Sequence, residues 1–108
     1  MNKRRCRSYK YTSPIAGKVR LDGKWELAVA KWLDKKKYTW ERNKKRFKYV
    51  DLKGKTRYYV PDFYVEELGG YLEVKGLETK LDYCKWAHFP EPLKIWRRLD
   101  LKEKGIIK

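Results

Sequence analysis

The sequence has few of the residues that form disulfide frameworks or sulfur and imidazole metal clusters. It contains two cysteines, Cys6 and Cys84, and a single histidine, His88. Because the cysteines are isolated and form no CxxC pair, they predict neither a disulfide framework nor a zinc cluster. We interpret Cys84 as a small apolar group on a helix and His88 as a structural residue near the end of that helix.

Long apolar stretches are also missing. No segment approaches the roughly 20 apolar residues that a membrane-spanning helix needs. The N-terminus, MNKRRCRSYKYTS, lacks the apolar region of a signal peptide, and no helix shows the basic and apolar division of a surface anchor. The sequence therefore predicts a cytoplasmic protein that does not bind membranes.

Acidic residues are scarce relative to basic ones. Twenty-nine Lys and Arg stand against fourteen Asp and Glu, which gives a net charge of +15. Such a charge favours a polyanionic partner, and nucleic acid is the leading candidate. The length of 108 residues and the apolar content of 42% suffice for one domain with a modest core.

The basic residues are concentrated in two stretches. Residues 1–20 hold seven basic residues and no acidic one, which is typical of an arm that orders on phosphates, although a solubilising tail has the same composition. We therefore expect an N-terminal arm over 1–20 and a single domain over 21–108. The second stretch is RNKKRFK, residues 42–48. Together they supply candidate DNA contacts at Arg4, Arg5, Arg7, Lys44, Lys45 and Arg46.

Hydrophobic periodicity predicts a mixed set of helices and strands. The segment LDGKWELAVAKWLDKKK has helical spacing and predicts a helix over 23–36 with Asp22 as its N-cap. Alternation predicts strands in YTWERN, FKYVD, TRYYVPDFYVEE and YLEVKG, with turns at LKGK and LGG and an edge or kink at Pro61. A second helix from 77 to 88, a strand in LKIW and a short helix ended by Gly105 complete the order.

A hairpin over residues 59–76 holds an unusual group of charges. Successive strand residues point to opposite faces, so Glu73 and Lys75 share a face, and the short LGG connection allows Asp62 to return beside Glu73. Two such carboxylates repel each other unless a cation lies between them, and Mg²⁺, with Mn²⁺ as a substitute, suits oxygen ligands. The Val74 carbonyl is a further candidate ligand. The alternative is the ordinary alternation of Lys and Glu on a solvated strand face.

The order of these residues resembles the PD-(D/E)XK nuclease superfamily, in which Pro-Asp is followed after a hairpin by Glu-x-Lys. Here the motif is Pro61-Asp62 and then Glu73-Val74-Lys75. In that superfamily an upstream helix often supplies a glutamate to the same site. Glu26 in WELAVAKWLD falls at that position, and Glu41 in YTWERN competes for the role. The span from about Ser13 to Asp100 is similar in layout to small bacteriophage nucleases, including endonuclease I Holliday-junction resolvases and homing-type enzymes.

The resemblance implies a fold and an activity. The fold is restriction-endonuclease-like, a mixed central sheet flanked by helices, and the activity is metal-dependent hydrolysis of DNA phosphodiester bonds. Glu26, Asp62, Glu73 and the Val74 carbonyl are then the metal ligands, and Lys75 positions the attacking water. The same comparison favours Lys85, on the helix after the motif, as a DNA contact, although a solvated lysine is the alternative.

Several functional questions stay open at this point. A junction resolvase requires a symmetric homodimer, whereas a monomer would nick one strand at a time. A site-specific nicking or homing-type enzyme is the alternative within the nuclease class, and a non-catalytic DNA-binding module is the alternative of another class. A pure binder gains nothing from clustering carboxylates against a polyanion, which favours the enzyme. Nothing in the sequence tests for RNA.

Overall fold

The computed structural model of the chain describes residues 8–108 and shows a mixed α and β domain. Arg4, Arg5 and Arg7, three of the predicted DNA contacts, lie outside the described residues. The elements in chain order are β1 (Tyr9–Ser13), β2 (Gly17–Leu21), α1 (Lys24–Lys35), β3 (Trp40–Arg42), β4 (Phe47–Val50), β5 (Thr56–Tyr59), β6 (Phe63–Val65), a 3₁₀ turn (Glu66–Leu68), β7 (Gly70–Val74), α2 (Lys80–Ala87), β8 (Leu93–Trp96) and α3 (Arg98–Glu103).

The central sheet is mixed, as the sequence predicted. Its four strands lie in the order β3-β6-β7-β8, with β7 and β8 parallel and the other pairs antiparallel. The parallel pair needs a crossover connection, and α2 provides it. Two separate two-stranded hairpins, β1-β2 and β4-β5, complete the fold. Gly70 is required where β7 begins, because a Cβ there would lie 2.6 Å from the carbonyl oxygen of Pro92.

The first helix packs on one face of this sheet. Its residues Val29 and Leu33 are buried in the same core as side chains of β3, β6, β7 and β8. The sheet contributes Trp40, Phe63, Leu72, Val74 and Trp96 to this core. The predicted helix over 23–36 is confirmed to within one residue at each end. The predicted N-cap is wrong: Gly23 occupies that position without a side-chain cap, and the Asp22 carboxylate instead pairs with Arg42 at 3.0 Å.

The N-terminal stretch differs from the predicted arm. Residues 9–21 form the β1-β2 hairpin, in which Tyr11 and Leu21 face the core. The hairpin is fastened to α1 by Asp34, whose carboxylate accepts hydrogen bonds from the hydroxyls of Tyr11 at 2.5 Å and Ser13 at 2.6 Å. The boundary predicted at residue 20 therefore does not separate an arm from the domain, because this hairpin is part of the folded unit.

Local chain chemistry explains two other boundaries. The stretch TRYYVPDFYVEE is divided at Pro61 into β5 and β6, which belong to different sheets, so the predicted kink is confirmed. The second helix begins at Lys80 and not at Leu77, because Thr79 forms a capping box with Asp82. No helix among residues 8–108 is long and apolar enough to cross a membrane.

Candidate functional site

Asp62 and Glu73 lie side by side at the end of the β6-β7 pair. The antiparallel register pairs Phe63 with Leu72, so the residues one step beyond, Asp62 and Glu73, are neighbours. The backbone N–H of Val74 donates a hydrogen bond of 2.8 Å to Oδ2 of Asp62. Both carboxylates are buried, with exposures of 9% and 7%. The hairpin thus brings together the two acids that the sequence singled out.

Glu26 enters the same cluster from the first turn of α1. The guanidinium of Arg42 links the two elements, with Nη2 at 3.5 Å from Oε1 of Glu26 and Nη1 at 3.7 Å from Oδ1 of Asp62. Glu41 is exposed on β3, where it stands opposite Tyr64. Of the two competing accessory acids, Glu26 is therefore the one that the fold places at the cluster.

The cluster carries more negative charge than its surroundings compensate. Burial raises the pKa of Asp62, and the charges of Glu73 and Glu26 raise it further, against the opposing effects of the Val74 N–H and Arg42. Burial likewise raises the pKa of Glu26, although the Asp22 N–H and Arg42 counteract it. Burial raises the pKa of all three carboxylates, and the charge of Glu26 raises the pKa of Asp62 and Glu73 as well, a combination that is typical of a functional site.

Glu73 is held by groups on the opposite side of the cluster. The hydroxyl of Tyr59 donates to its Oε1 at 3.0 Å. Burial raises the pKa of Glu73, while this hydrogen bond and the ammonium groups of Lys75 and Lys85 lower it. The buried hydrogen bond fixes the Glu73 carboxylate, and burial beside Glu73 raises the pKa of the Tyr59 phenol, which stays neutral and donates.

Lys75 is oriented by a residue that the sequence did not single out. Its Nζ lies 3.1 Å from Oδ1 of Asp82, and Nζ of Lys85 lies 3.3 Å from the same oxygen. Burial alone would raise the pKa of Asp82, but the N–H of Thr79 and the Lys75 ammonium lower it, so the carboxylate stays charged. The buried Asp82 carboxylate therefore holds the ammonium groups of Lys75 and Lys85 near Glu73.

The donor set fits a hard divalent cation. The carboxylates of Glu26, Asp62 and Glu73 offer only oxygen, the ligand that Mg²⁺ and Mn²⁺ prefer, and a bound cation would offset the burial that raises their pKa values. Across the described part of the chain, no three His, Cys, Asp or Glu side chains are already close enough to enclose an ion. The carboxylates would therefore have to draw together around it. The Val74 backbone, whose carbonyl is the fourth predicted ligand, adjoins the cluster through its N–H.

The predicted DNA contacts fall in two different environments. Lys44, Lys45 and Arg46 are exposed in the loop between β3 and β4. Lys85 is on α2 as expected, but it is half-buried, with its ammonium also 5.4 Å from the centre of the Tyr59 ring. Its position makes Lys85 a member of the carboxylate cluster and not of an outer surface.

Sequence reasoning missed three residues of the cluster. Asp82 carried a local signal, since Thr-x-x-Asp at the start of a helix is a capping pattern. Arg42 was noticed only as part of a basic run, and its contacts with Glu26 and Asp62 depend on how α1 meets the sheet. Tyr59 gave no signal, because its partner lies 14 residues away across a break at Pro61.

Comparison of the chain with models of known protein families, with characterised proteins and with solved structures finds no match.

Proposed function

We propose that this protein is a metal-dependent endonuclease that hydrolyses phosphodiester bonds in DNA. The observation that carries the proposal is the burial of Asp62 beside Glu73, with Glu26 joining from α1 and Lys75 placed directly after β7. Buried like charges lower the stability of the folded state, so a module that only binds DNA has no use for them. An enzyme that cleaves a polyanion with the help of a cation requires such carboxylates, because they bind the cation.

Each residue has a defined task in this proposal. Glu26, Asp62 and Glu73 would hold a divalent cation, which would supply positive charge at the scissile phosphate and lower the pKa of bound water. The Val74 N–H orients Asp62 and the Tyr59 hydroxyl orients Glu73, so one oxygen of each carboxylate is fixed. Lys75, held by Asp82, donates hydrogen bonds that position the attacking water and offset charge developing on the phosphate.

DNA is the proposed substrate because of the charge of the whole chain and the motif that it carries. The net charge of +15 favours a polyanion, and the arrangement of Asp62, Glu73 and Lys75 resembles that of DNA nucleases. Within this class we favour a phage-encoded, structure-selective enzyme that resolves branched DNA as a dimer. A site-specific nicking or homing-type enzyme is separated from it by the choice of substrate in the experiment below.

The test compares the wild type with Lys75→Ala and with Lys94→Ala, which removes an exposed lysine from the neighbouring strand β8. Each protein is incubated with a labelled four-way junction, a linear duplex and a supercoiled plasmid in Mg²⁺, Mn²⁺ or EDTA. We expect metal-dependent cleavage by the wild type and Lys94→Ala and loss of cleavage in Lys75→Ala. Paired cuts in the junction identify a resolvase, and nicks at one plasmid site identify a site-specific enzyme. Binding without cleavage of any substrate overturns the proposal.

A further inference from the structure

A broad groove of about 1190 Å³ lies between the β1-β2 hairpin and the loop that joins β3 to β4. Basic side chains line both walls: Lys10, Lys18 and Arg20 come from the hairpin, and Lys44, Lys45 and Arg46 come from the loop. The acidic lining residues are Asp22, already paired with Arg42, and Glu41. The groove is therefore strongly cationic on both sides.

The hairpin presents its basic residues by strand alternation. Lys10 stands opposite Arg20, and two residues further on Thr12 stands opposite Lys18. These positions share one face of the hairpin, and the intervening Tyr11 and Val19 pack towards the core. Because Asp34 ties this inner face to α1, the hairpin forms a fixed wall for the basic residues.

The opposite wall is fastened to the carboxylate cluster by Asn43, a buried residue with 4% exposure. Its Nδ2 donates hydrogen bonds to the carbonyl oxygens of Lys45 at 3.1 Å and Pro61 at 3.0 Å, and its Oδ1 accepts one from the Lys45 N–H at 3.0 Å. The N–H of Asn43 donates to the carbonyl of Asp62 at 3.1 Å. The basic loop is therefore held in a fixed position relative to Asp62.

The groove adjoins the proposed site at Arg42. Arg42 lines the groove and also contacts Glu26 and Asp62. Val60, another lining residue, is two positions before Asp62 in the chain. Arg42 therefore joins the groove to the carboxylate cluster.

We infer that this groove binds the sugar-phosphate backbone of duplex DNA and that the β1-β2 hairpin is a DNA-binding element. Lys and Arg at this density match the phosphates of a duplex and give binding without sequence readout. The aromatic lining offers no platform for unstacked bases, since Tyr71 is 7% exposed and the Tyr11 ring packs against the core. The inference rests on the proposed function for the fate of the DNA, but binding itself requires no cleavage.

The experiment is a binding titration in EDTA, so that cleavage plays no part. Fluorescence anisotropy measures the affinity of the full chain for a short labelled duplex and for the matching single strand at several salt concentrations. A groove variant carries Lys10→Glu, Lys18→Glu and Lys44→Glu. A matched control with the same change in net charge carries Lys31→Glu, Lys53→Glu and Lys102→Glu, three exposed positions outside the groove.

We expect the groove variant to bind the duplex at least about 100-fold more weakly than the control, with a log–log salt slope smaller by roughly 2 to 3, as three lost phosphate contacts require. Equal weakening in the two variants overturns the inference, as does tighter binding of the single strand or no duplex binding by the wild type. If the triple variant unfolds, Lys18→Glu and Lys44→Glu are compared singly with Lys53→Glu, and each should lower the salt slope by about 1, as one lost phosphate contact requires. If the groove variant loses duplex binding and the wild type fails to cleave DNA, the groove is a DNA-binding site and the proposed nuclease activity is wrong.

Discussion

The ammonium group of Lys75 lies 3.1 Å from Oδ1 of Asp82, a side chain that is only 2% exposed. Asp82 also accepts the hydrogen bonds that begin α2, because its Oδ2 receives the N–H and the hydroxyl of Thr79. One carboxylate therefore joins the start of a helix to the end of β7 and sets where Lys75 and Lys85 stand. We regard Asp82 as a positioning residue for the proposed reaction.

Replacing Asp82 by Asn should slow cleavage by roughly 10- to 100-fold, the usual effect of losing a group that orients a metal-site residue. The amide preserves the size and an acceptor for the cap but removes the anion shared by Lys75 and Lys85. Because those lysines lower the pKa of Glu73, their release should move the acidic limb of the pH–rate profile to higher pH. Thr79→Ala, which weakens the same cap without touching the lysines, is the control. An equal loss in Thr79→Ala would assign Asp82 to helix stability alone.

Asp62→Asn should stabilise the metal-free protein at neutral pH by about 0.5 to 2 kcal/mol. The pKa of Asp62 is raised in the folded state, so the free energy of unfolding falls as pH rises from the ordinary carboxyl range through the folded pKa. The amide oxygen can still accept the Val74 N–H. Urea denaturation in EDTA measures the gain, with the exposed Glu41→Gln as a control that should change stability by less than about 0.5 kcal/mol.

The wild type and Asp62→Asn also test metal binding without any cleavage assay. Added Mg²⁺ should raise the unfolding midpoint of the wild type, because a ligand of the native state stabilises it by mass action. It should have little effect on Asp62→Asn. A lower stability of Asp62→Asn than of the wild type in EDTA would show that the carboxylate is structural.

Asn43→Ala should destabilise the protein by about 1 to 3 kcal/mol, because it leaves the buried carbonyl of Pro61 without its donor. It should also weaken duplex binding, since the loop that carries Lys44 and Lys45 loses its attachment. Lys44→Ala separates the two effects: this exposed side chain should affect DNA affinity and leave stability nearly unchanged. Chemical denaturation and anisotropy are measured on both variants. An unaltered stability in Asn43→Ala would show that the hydrogen bonds of Asn43 do not hold the loop in place.

The attachment of the hairpin predicts a dependence on alkaline pH. The hydrogen bond to Asp34 is the main cause that raises the pKa of Tyr11 from 10.0 to about 12. A raised phenol pKa gives stability that is complete below pH 10 and is lost as the pH rises towards 12. Tyr11→Phe should therefore be less stable than the wild type at pH 8, and the difference should shrink above pH 10. Tyr58→Phe, an exposed tyrosine, is the control, and a difference that is independent of pH would contradict the explanation.

Local patterns in the sequence predicted much of the fold. The helix over 24–35 followed from its period, and the break between β5 and β6 followed from the fixed φ and missing N–H of Pro61. The density of positive charge over residues 1–20 predicts an arm, whereas residues 9–21 form a hairpin. The alternation in YKYTS and GKVRL, with Gly17 at the start of the second stretch in a left-handed conformation, is the signal that indicates the hairpin.

The sequence likewise predicts some residues of the candidate site and not others. Asp62, Glu73 and Lys75 were predictable because a hairpin fixes which side chains share a face. Tyr59 and Asp82 were not, since each reaches the cluster from an element outside the central sheet, and Arg42 was not, since its contact with Glu26 depends on how α1 packs on the sheet. The choice between Glu26 and Glu41 also needed the structure, because both are acids near the ends of their elements.

The most direct test of the central claim is the rate at which supercoiled plasmid is nicked as the Mg²⁺ concentration increases, measured for the wild type, Asp62→Asn and Glu41→Gln. We predict nicking that saturates with Mg²⁺ for the wild type and Glu41→Gln, and an intact plasmid at every Mg²⁺ concentration with Asp62→Asn. Nicking by Asp62→Asn at the wild-type rate, or none by the wild type, would contradict it.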